Sequence, residues 1–173
     1  MGLNSSVRAA LRRIQSKHAT EFGKVIQKIL ALSLIDMGYR LVEERTVQGV
    51  DIDIVHGETG SKKAIEVKTC LHREVSIAPK DIDGLHRRID DGYEAYVAVL
   101  SLPLSVSLGW VMVPAEDLKP GRYGVLSLHS RCDEHLSEAV NSAFERRFQV
   151  VADEILTCET GSVLRFLRES FGI

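Results

Sequence analysis

Cysteine pairs, nucleotide-binding glycine loops and unbroken hydrophobic runs are all missing from this 173-residue sequence. The three cysteines, Cys70, Cys132 and Cys158, are widely spaced and form no CxxC pair. This pattern argues against a disulfide framework and favours a reducing compartment, so we expect a cytoplasmic protein. Neither GxGxxG nor GxxxxGK[ST] occurs, so the usual sequence motifs for a nucleotide cofactor are lacking and we expect none.

One apolar stretch, residues 95–114, is about as long as a membrane span. Pro103, Gly109 and three serines interrupt it, and it is rich in β-branched and aromatic residues. We therefore predict two buried strands joined near Pro103 and no association with a membrane.

Strong charge of either sign is also lacking, because the net charge of the whole chain is -2. The charge is unevenly distributed, however. Residues 1–90 contain 15 Lys and Arg against 12 Asp and Glu, whereas residues 91–173 contain 7 against 12. Several acids of residues 1–90 belong to the acidic cluster described below, so the remaining surface of this half is more basic than its net charge implies. This gives mild support to a polyanionic partner.

The hydrophobic periodicity predicts helices and strands in an order typical of an α/β protein. Three consecutive strands precede a helix, which indicates a central mixed β-sheet flanked by helices rather than an alternating parallel fold. The predicted helices cover 7–17, 19–37, 78–92 and most of 133–173, and the predicted strands cover 39–45, 50–55, 64–69, 96–100, 110–113 and 123–129. We expect a core over residues 1–131, which includes the basic helix 7–17, and a helical C-terminal extension over residues 132–173 packed on or beside it.

Four charged residues lie on two neighbouring predicted strands. Asp51 and Asp53 alternate with apolar residues in VDIDIV, and Glu66 and Lys68 do so in AIEVKT. Because successive side chains of a strand point to opposite faces, each pair shares one face of its strand. Whether the two pairs meet depends on the register of the hairpin.

If Asp53, Glu66 and Lys68 meet, two carboxylates and one ammonium group converge. Two carboxylates a few ångströms apart do not both stay ionised cheaply unless a cation lies between them. Mg²⁺ suits such a site, because it binds through one or two carboxylates and phosphate oxygens. Glu21, at the start of the preceding predicted helix, is a further candidate for the metal shell.

These elements resemble the PD-(D/E)xK nuclease superfamily. The resemblance rests on the helix with Glu21, the segment GVDIDIV, the glycine-containing turn and AIEVKT, and it covers roughly residues 19–100. It is closest to the restriction-endonuclease-like and archaeal Holliday-junction-resolvase-like branches. It implies that Asp53 is the motif aspartate, that Glu66 and Lys68 are the E-x-K pair, and that Glu21 is the glutamate of the first helix.

The resemblance implies a restriction-endonuclease-like core and a metal-dependent endonuclease that hydrolyses DNA, with junctions or branched DNA as candidate substrates. Asp53, Glu66 and Glu21 would then bind Mg²⁺ or Mn²⁺, and Lys68 would assist catalysis. A homodimer is implied as well. Ile52 replaces the expected proline, and Asp51, two residues before the motif aspartate, has a secondary place in this assignment.

Other interpretations remain open from the sequence. Asp53, Glu66 and Lys68 could form a solvated polar face with a cross-strand ion pair. The fold could also serve as a non-catalytic module that binds nucleic acid or another protein. Candidate phosphate contacts are basic residues of two helices: Lys80, Arg87 and Arg88, and Arg12 and Arg13. His129, Cys132 and His135 have ligand types that zinc accepts, but a fourth ligand is not evident.

Overall fold

The computed structural model describes residues 2–42, 49–102 and 108–173. Its centre is a five-stranded sheet in the order β1-β2-β3-β5-β6, and a separate two-stranded ribbon pairs β4 with β7. The strands are β1 Tyr39–Leu41, β2 Ile52–His56, β3 Lys62–Cys70, β4 Glu74–Ile77, β5 Glu94–Ser101, β6 Gly109–Pro114 and β7 Gly121–Gly124.

The central sheet is mixed, as predicted. β3 and β5 are parallel, and the pairs β1–β2, β2–β3 and β5–β6 are antiparallel. The parallel pair needs a crossover connection, which the α3 helix and the β4 strand provide. The β2–β3 hairpin places Ile52 opposite Ile65 and Asp53 opposite Ala64.

Helices cover both faces of the sheet. Alternate strand residues, such as Ile54, Ile65 and Ala98, belong to one apolar core with the first two and last two helices. The opposite face, with Ala64 and Val97, packs with α3, α4 and the β4–β7 ribbon in a second core. The helices are α1 Ser5–Lys17, α2 Phe22–Asp36, α3 Pro79–Asp90, α4 Val125–His129, α5 Glu134–Thr157 and α6 Val163–Phe171.

The C-terminal helices share the first core with the N-terminal ones. Phe144 of α5 contacts Trp110 of β6 in an edge-to-face arrangement with ring centroids 5.4 Å apart, and it stacks on Phe148 at 5.8 Å. Asn141 of α5 also accepts a hydrogen bond from Trp110 N (2.8 Å). Residues 132–173 are therefore mostly helical, with α5 packed against β6 and both α5 and α6 in the first core, while the domain boundary at residue 131 stays a prediction.

Two predicted elements differ from the structure. The segment 123–129 was predicted as a strand, but only its first two residues end β7 and the rest forms α4. Val125 and Leu128 are three residues apart and are both buried on one side of this short helix, whereas Leu126 is exposed; so short a segment does not show from its sequence whether its period is that of a strand or of a helix. The predicted strand 39–45 is confirmed over Tyr39–Leu41, and its last three residues lie outside the described part of the chain, as does Pro103.

Across the described ranges, no helix combines the length and the apolar character that crossing a membrane requires.

Candidate active site

The acidic and basic residues of the motif lie on the sheet face that α3 covers. Asp51 N donates to Ile65 O (3.0 Å), the residue that already faces Ile52, so Asp51 lies just before β2 and departs by one residue from the β2–β3 register. Asp53 lies opposite Ala64, two residues before Glu66 on β3. Asp53 and Glu66 therefore lie on one face of the sheet, and Asp51 comes next to Glu66 through its carboxylate, which accepts from Val67 N (2.8 Å).

Four charged side chains form a compact group, which we call the Lys68 cluster: Asp51, Glu66, Lys68 and Asp81. Lys68 Nζ lies 2.6 Å from Glu66 Oε1 and 2.6 Å from Asp81 Oδ2. Asp51 joins the group through its carboxylate, which accepts from Val67 N (2.8 Å) and interacts with Glu66. Three carboxylates thus surround one ammonium group.

The backbone around the cluster is held by close contacts with two helices. Gly49 has a φ of +92°, and a Cβ at this position would lie 2.1 Å from Lys80 O of α3. A glycine is therefore required for the segment before β2 to approach the α3 N-terminus. From the other side, Gln27 of α2 donates to Asp51 O (3.1 Å).

Burial and charge shift the pKa values of the cluster. Burial raises the pKa of Glu66 to about 6, a change that the hydrogen bond from Lys68 only partly offsets and that nearby Asp51 and Asp81 reinforce. Burial also raises the pKa of Asp51. Burial by itself would lower the pKa of Lys68, but the hydrogen bonds to Asp81 and Glu66 outweigh this effect and raise it. Lys68 is therefore an ammonium ion at neutral pH.

Asp53 belongs to a separate ion pair. Its Oδ2 accepts from the guanidinium of Arg88 on α3, which also donates to Asp91 Oδ2 (3.1 Å) and lies over the ring of Tyr93. Asp53 Oδ1 is buried and finds no hydrogen-bond partner among residues 2–42, 49–102 and 108–173. Burial raises the pKa of Asp53, although the hydrogen bond from Arg88 acts in the opposite direction.

The predicted ligand set of Glu21, Asp53 and Glu66 stays a prediction, and the structure places its members in different contacts. Glu21, Asp53 and Glu66 are not brought together, because Asp53 lies in the Arg88 pair, and Glu66 faces Asp51 and Lys68. In residues 2–42, 49–102 and 108–173, no three or more His, Cys, Asp or Glu side chains form a group that could hold a metal ion.

Asp51 and Glu66 nevertheless fit the requirements of a divalent cation. They are adjacent, and with Asp81 they leave two negative charges that Lys68 does not compensate when all three carboxylates are ionised. One divalent cation would cancel these charges, and two carboxylates are within the number that Mg²⁺ takes from a protein when phosphate and water complete its shell. Burial is the main cause of the raised pKa of Glu66, and the nearby charges of Asp51 and Asp81 add to it.

Glu21 stays a candidate without a confirmed role. It precedes α2, and its Oε2 atom is buried with no hydrogen-bond partner in the part of the chain that the structure describes. Gln27 of the same helix contacts the Asp51 backbone. The N-terminal half of α2 therefore flanks the Lys68 cluster, in agreement with the predicted proximity of this helix to the site.

The predicted phosphate contacts divide into two groups. Lys80 and Arg87 of α3 and Arg13 of α1 are exposed and stay candidates, whereas Arg12 is half-buried and donates to Leu102 O (3.1 Å). Arg88 is a correction, because it is only 8% exposed and its guanidinium is paired with Asp53 and Asp91. A pattern of basic residues along a helix does not reveal which one turns toward the sheet.

The candidate zinc ligands do not form a site. His129 ends α4, Cys132 lies in the following turn, and His135 is in the first turn of α5. Both histidines are exposed, and the described residues contain no metal-binding group that includes them.

Asp81 is the member of the Lys68 cluster that the sequence did not reveal. It lies in the first turn of α3, where its Oδ2 accepts from Ala78 N (3.0 Å). An acidic residue three positions after the N-cap Ala78, in a helix that begins with Pro79, is typical of a helix start. This signal indicated a helix cap but could not show that the cap also meets Lys68.

No family model and no curated protein matches the sequence. Among solved structures, the chain is similar to Archaeoglobus fulgidus Hjc, a Holliday junction resolvase from an archaeal hyperthermophile, with a TM-score of 0.53 and 21% sequence identity. The match covers 68% of this chain and 94% of that chain. The chain has a restriction-endonuclease-like fold. Within this fold, the Lys68 cluster is formed by β3, which carries Glu66 and Lys68, by Asp51 just before β2, and by Asp81 in the first turn of α3.

Proposed function

We propose that this protein is a divalent-metal-dependent endonuclease that hydrolyses phosphodiester bonds of branched DNA. The observation that carries the proposal is the convergence of Asp51, Glu66 and Lys68 on one face of a restriction-endonuclease-like sheet. Two carboxylates and an ammonium group are the side chains needed to bind a divalent cation and a phosphate beside it.

Asp51 and Glu66 are the residues that would hold Mg²⁺ or Mn²⁺. When bound, the metal would polarise a phosphoryl oxygen and lower the pKa of a water molecule. Because Asp51 also accepts from Val67 N, its carboxylate is oriented before a cation arrives. In this proposal Asp51, rather than Asp53, is the aspartate that binds the metal.

Lys68 would act as a cation rather than as a general base. Its ammonium group lies between two carboxylate oxygens at 2.6 Å, which favours the protonated form. A protonated lysine beside the scissile phosphate stabilises the negative charge that develops on the phosphoryl oxygens. It also remains available to orient an attacking water molecule through hydrogen bonds.

The choice of branched DNA is supported by the similarity to a Holliday junction resolvase. A resolvase acts on two strands, so we also propose that this protein works as a homodimer. Lys80 and Arg87 on α3, beside the Lys68 cluster, are the proposed phosphate contacts.

A second candidate function is a module that binds branched DNA without cleaving it. One observation favours it: Lys68 already neutralises Glu66 in the protein alone, and the described residues contain no group of three metal ligands. In this case the Glu66–Lys68 pair would be an ordinary ion pair within a DNA-binding surface.

A panel of fluorescent DNA structures tests the proposal. A four-way junction, a flap, a linear duplex and a single strand are incubated with Mg²⁺, Mn²⁺ or EDTA. We expect cleavage of branched DNA with either metal, none with EDTA, and loss of cleavage in Glu66→Gln. Glu58→Gln, in the exposed hairpin turn, is the matched control and should cleave normally.

The outcomes separate the two functions. Binding of junctions without cleavage at any metal concentration would favour the non-catalytic module. Equal cleavage by the wild type and Glu66→Gln would show that the activity does not come from this site.

A further inference from the structure

The ammonium group of Lys68 is held from two sides by carboxylates with different surroundings. Glu66 comes from the same strand, two residues before it, and Asp81 comes from the first turn of α3. Both contacts are 2.6 Å long. Glu66, however, is also the residue that would bind the metal, so its interaction with Lys68 competes with its interaction with the cation.

Asp81 is not a proposed metal ligand, so its interaction with Lys68 does not compete with binding of the cation. It is 1% exposed, and its Oδ2 accepts from both Lys68 and the backbone N–H of Ala78 (3.0 Å). The helix N-terminus also favours an anion at this position. Gly49 packs directly on the backbone of Lys80 and Asp81, which fixes this turn against the segment that carries Asp51.

Capping the helix does not require the charge of Asp81. An asparagine or serine would also accept a hydrogen bond from Ala78 N. A carboxylate that is almost fully buried is costly unless a cation compensates it, and Lys68 is the cation that does so here. The contact with Lys68 thus gives the charge of Asp81 a role that the hydrogen bond to Ala78 N does not require.

We propose that Asp81 is a positioning residue that holds the ammonium group of Lys68 in place when Glu66 turns to a bound divalent cation. The inference rests on the proposed function, because it assigns Asp81 a task in the same site. Asp81 itself touches neither the metal nor the DNA. It keeps Lys68 within reach of the phosphate, whereas without it the long lysine side chain would be free to sample other rotamers.

The test is a double-mutant cycle of Asp81→Asn and Lys68→Met. Asp81→Asn keeps a hydrogen-bond acceptor for Ala78 N and removes the negative charge. At saturating Mg²⁺ and junction DNA, Asp81→Asn should lower kcat roughly 10- to 100-fold with little change in KM, because a catalytic group is misplaced while the DNA contacts remain. In the Lys68→Met background, the same change should have no further effect on kcat. Asp83→Asn, on an exposed position of the same helix, is the control and should behave as the wild type.

A second readout does not need activity. NMR relaxation of the lysine Cε groups, with Lys68→Met used to assign the signal, reports the mobility of Lys68. With Mg²⁺ alone, this signal should stay rigid in the wild type and in Asp83→Asn and become mobile in Asp81→Asn.

The two readouts distinguish the failure of this inference from the failure of the proposed function. A wild type that cleaves no DNA would overturn the proposed function, while the relaxation experiment would still decide the role of Asp81. An equal loss of kcat from Asp81→Asn with and without Lys68, or a Lys68 signal that stays equally rigid in Asp81→Asn, would overturn the inference.

Discussion

Two acid–base groups lie side by side on one face of the sheet, and they differ in how completely they are paired. In the first, Asp53 meets the guanidinium of Arg88, which is 8% exposed and also bonded to Asp91. In the second, Lys68 pairs with both Glu66 and Asp81, and Asp51, an exposed residue, lies nearby. Each contains one aspartate of the segment VDIDIV and a basic residue.

The difference in pairing indicates which of the two groups is the better candidate for the proposed metal site. Arginine always carries its charge, and its planar group donates several hydrogen bonds in fixed directions, which suits a permanent ion pair. The Lys68 cluster instead has more carboxylates than cations, and the pKa of Glu66 is raised to about 6. The Asp53–Arg88 pair thus fastens α3 to the sheet, and the Lys68 cluster is the group that an added cation would complete.

The largest expected effect separates the two aspartates by activity. Asp51→Asn should lower the rate of metal-dependent cleavage by about two to three orders of magnitude, because it removes a proposed metal ligand and its charge. Asp53→Asn should keep cleavage within about tenfold of the wild type at a temperature where it is folded. Single-turnover cleavage of a junction, with circular dichroism as a check of folding, measures both. A larger loss of cleavage in Asp53→Asn than in Asp51→Asn would instead support Asp53 as the metal ligand, as its resemblance to the motif aspartate implies.

The second expected effect concerns stability. Arg88→Met leaves Asp53 buried without its partner and should lower the free energy of unfolding by about 3 kcal/mol. In Asp53→Asn/Arg88→Met the buried charge is gone, so part of this loss should be recovered, with a coupling of about 1–3 kcal/mol. Urea unfolding of the four proteins in the cycle measures the coupling. Strictly additive losses would show that the pair does not fasten α3, and a large loss of DNA affinity with unchanged stability would restore Arg88 as a phosphate contact.

The smallest expected effect is the pH dependence that Glu66 adds to stability. Its pKa rises from the usual 4.5 to about 6 in the folded protein, so the folded state binds this proton more tightly than the unfolded chain does. Relative to Glu66→Gln, the wild type should therefore lose stability as the pH rises from 4.5 to above 6, by about 2 kcal/mol in total. Urea unfolding of both proteins across this range without divalent ions measures the difference.

Repeating the unfolding experiment with Mg²⁺ tests whether Glu66 binds the metal. At pH 7 it should stabilise the wild type and not Glu66→Gln, because a ligand that binds only the folded state shifts the unfolding equilibrium. A difference between the two proteins that does not change with pH or Mg²⁺ would show that Glu66 is an ordinary member of an ion pair.

Much of the fold could be predicted from local patterns. The alternation of Ile52 and Ile54 with the two aspartates predicted β2 and the face that each side chain takes, because a strand has a fixed period of two. The order of strands and helices predicted the mixed sheet. The segment 123–129 was predicted wrongly, since a few apolar residues at short spacing suit a strand or one turn of helix equally well.

The site was predicted only in part. Glu66 and Lys68 lie where the motif indicates, but the choice between Asp51 and Asp53 depends on the hairpin register, which the distance along the chain does not specify. The roles of Arg88 and Asp81 depend on which side of α3 packs on the sheet.

The sequence by itself determined the layered α/β fold and the sheet face on which the acids lie, because hydrophobic periodicity acts through neighbours a few residues apart. Only the tertiary structure decided that Asp51 joins Glu66, that Arg88 pairs with Asp53, and that Asp81 reaches Lys68. The reason is physical: these contacts join residues that are 13 to 35 positions apart, and their geometry depends on strand register and helix rotation, which the packing of the whole sheet sets.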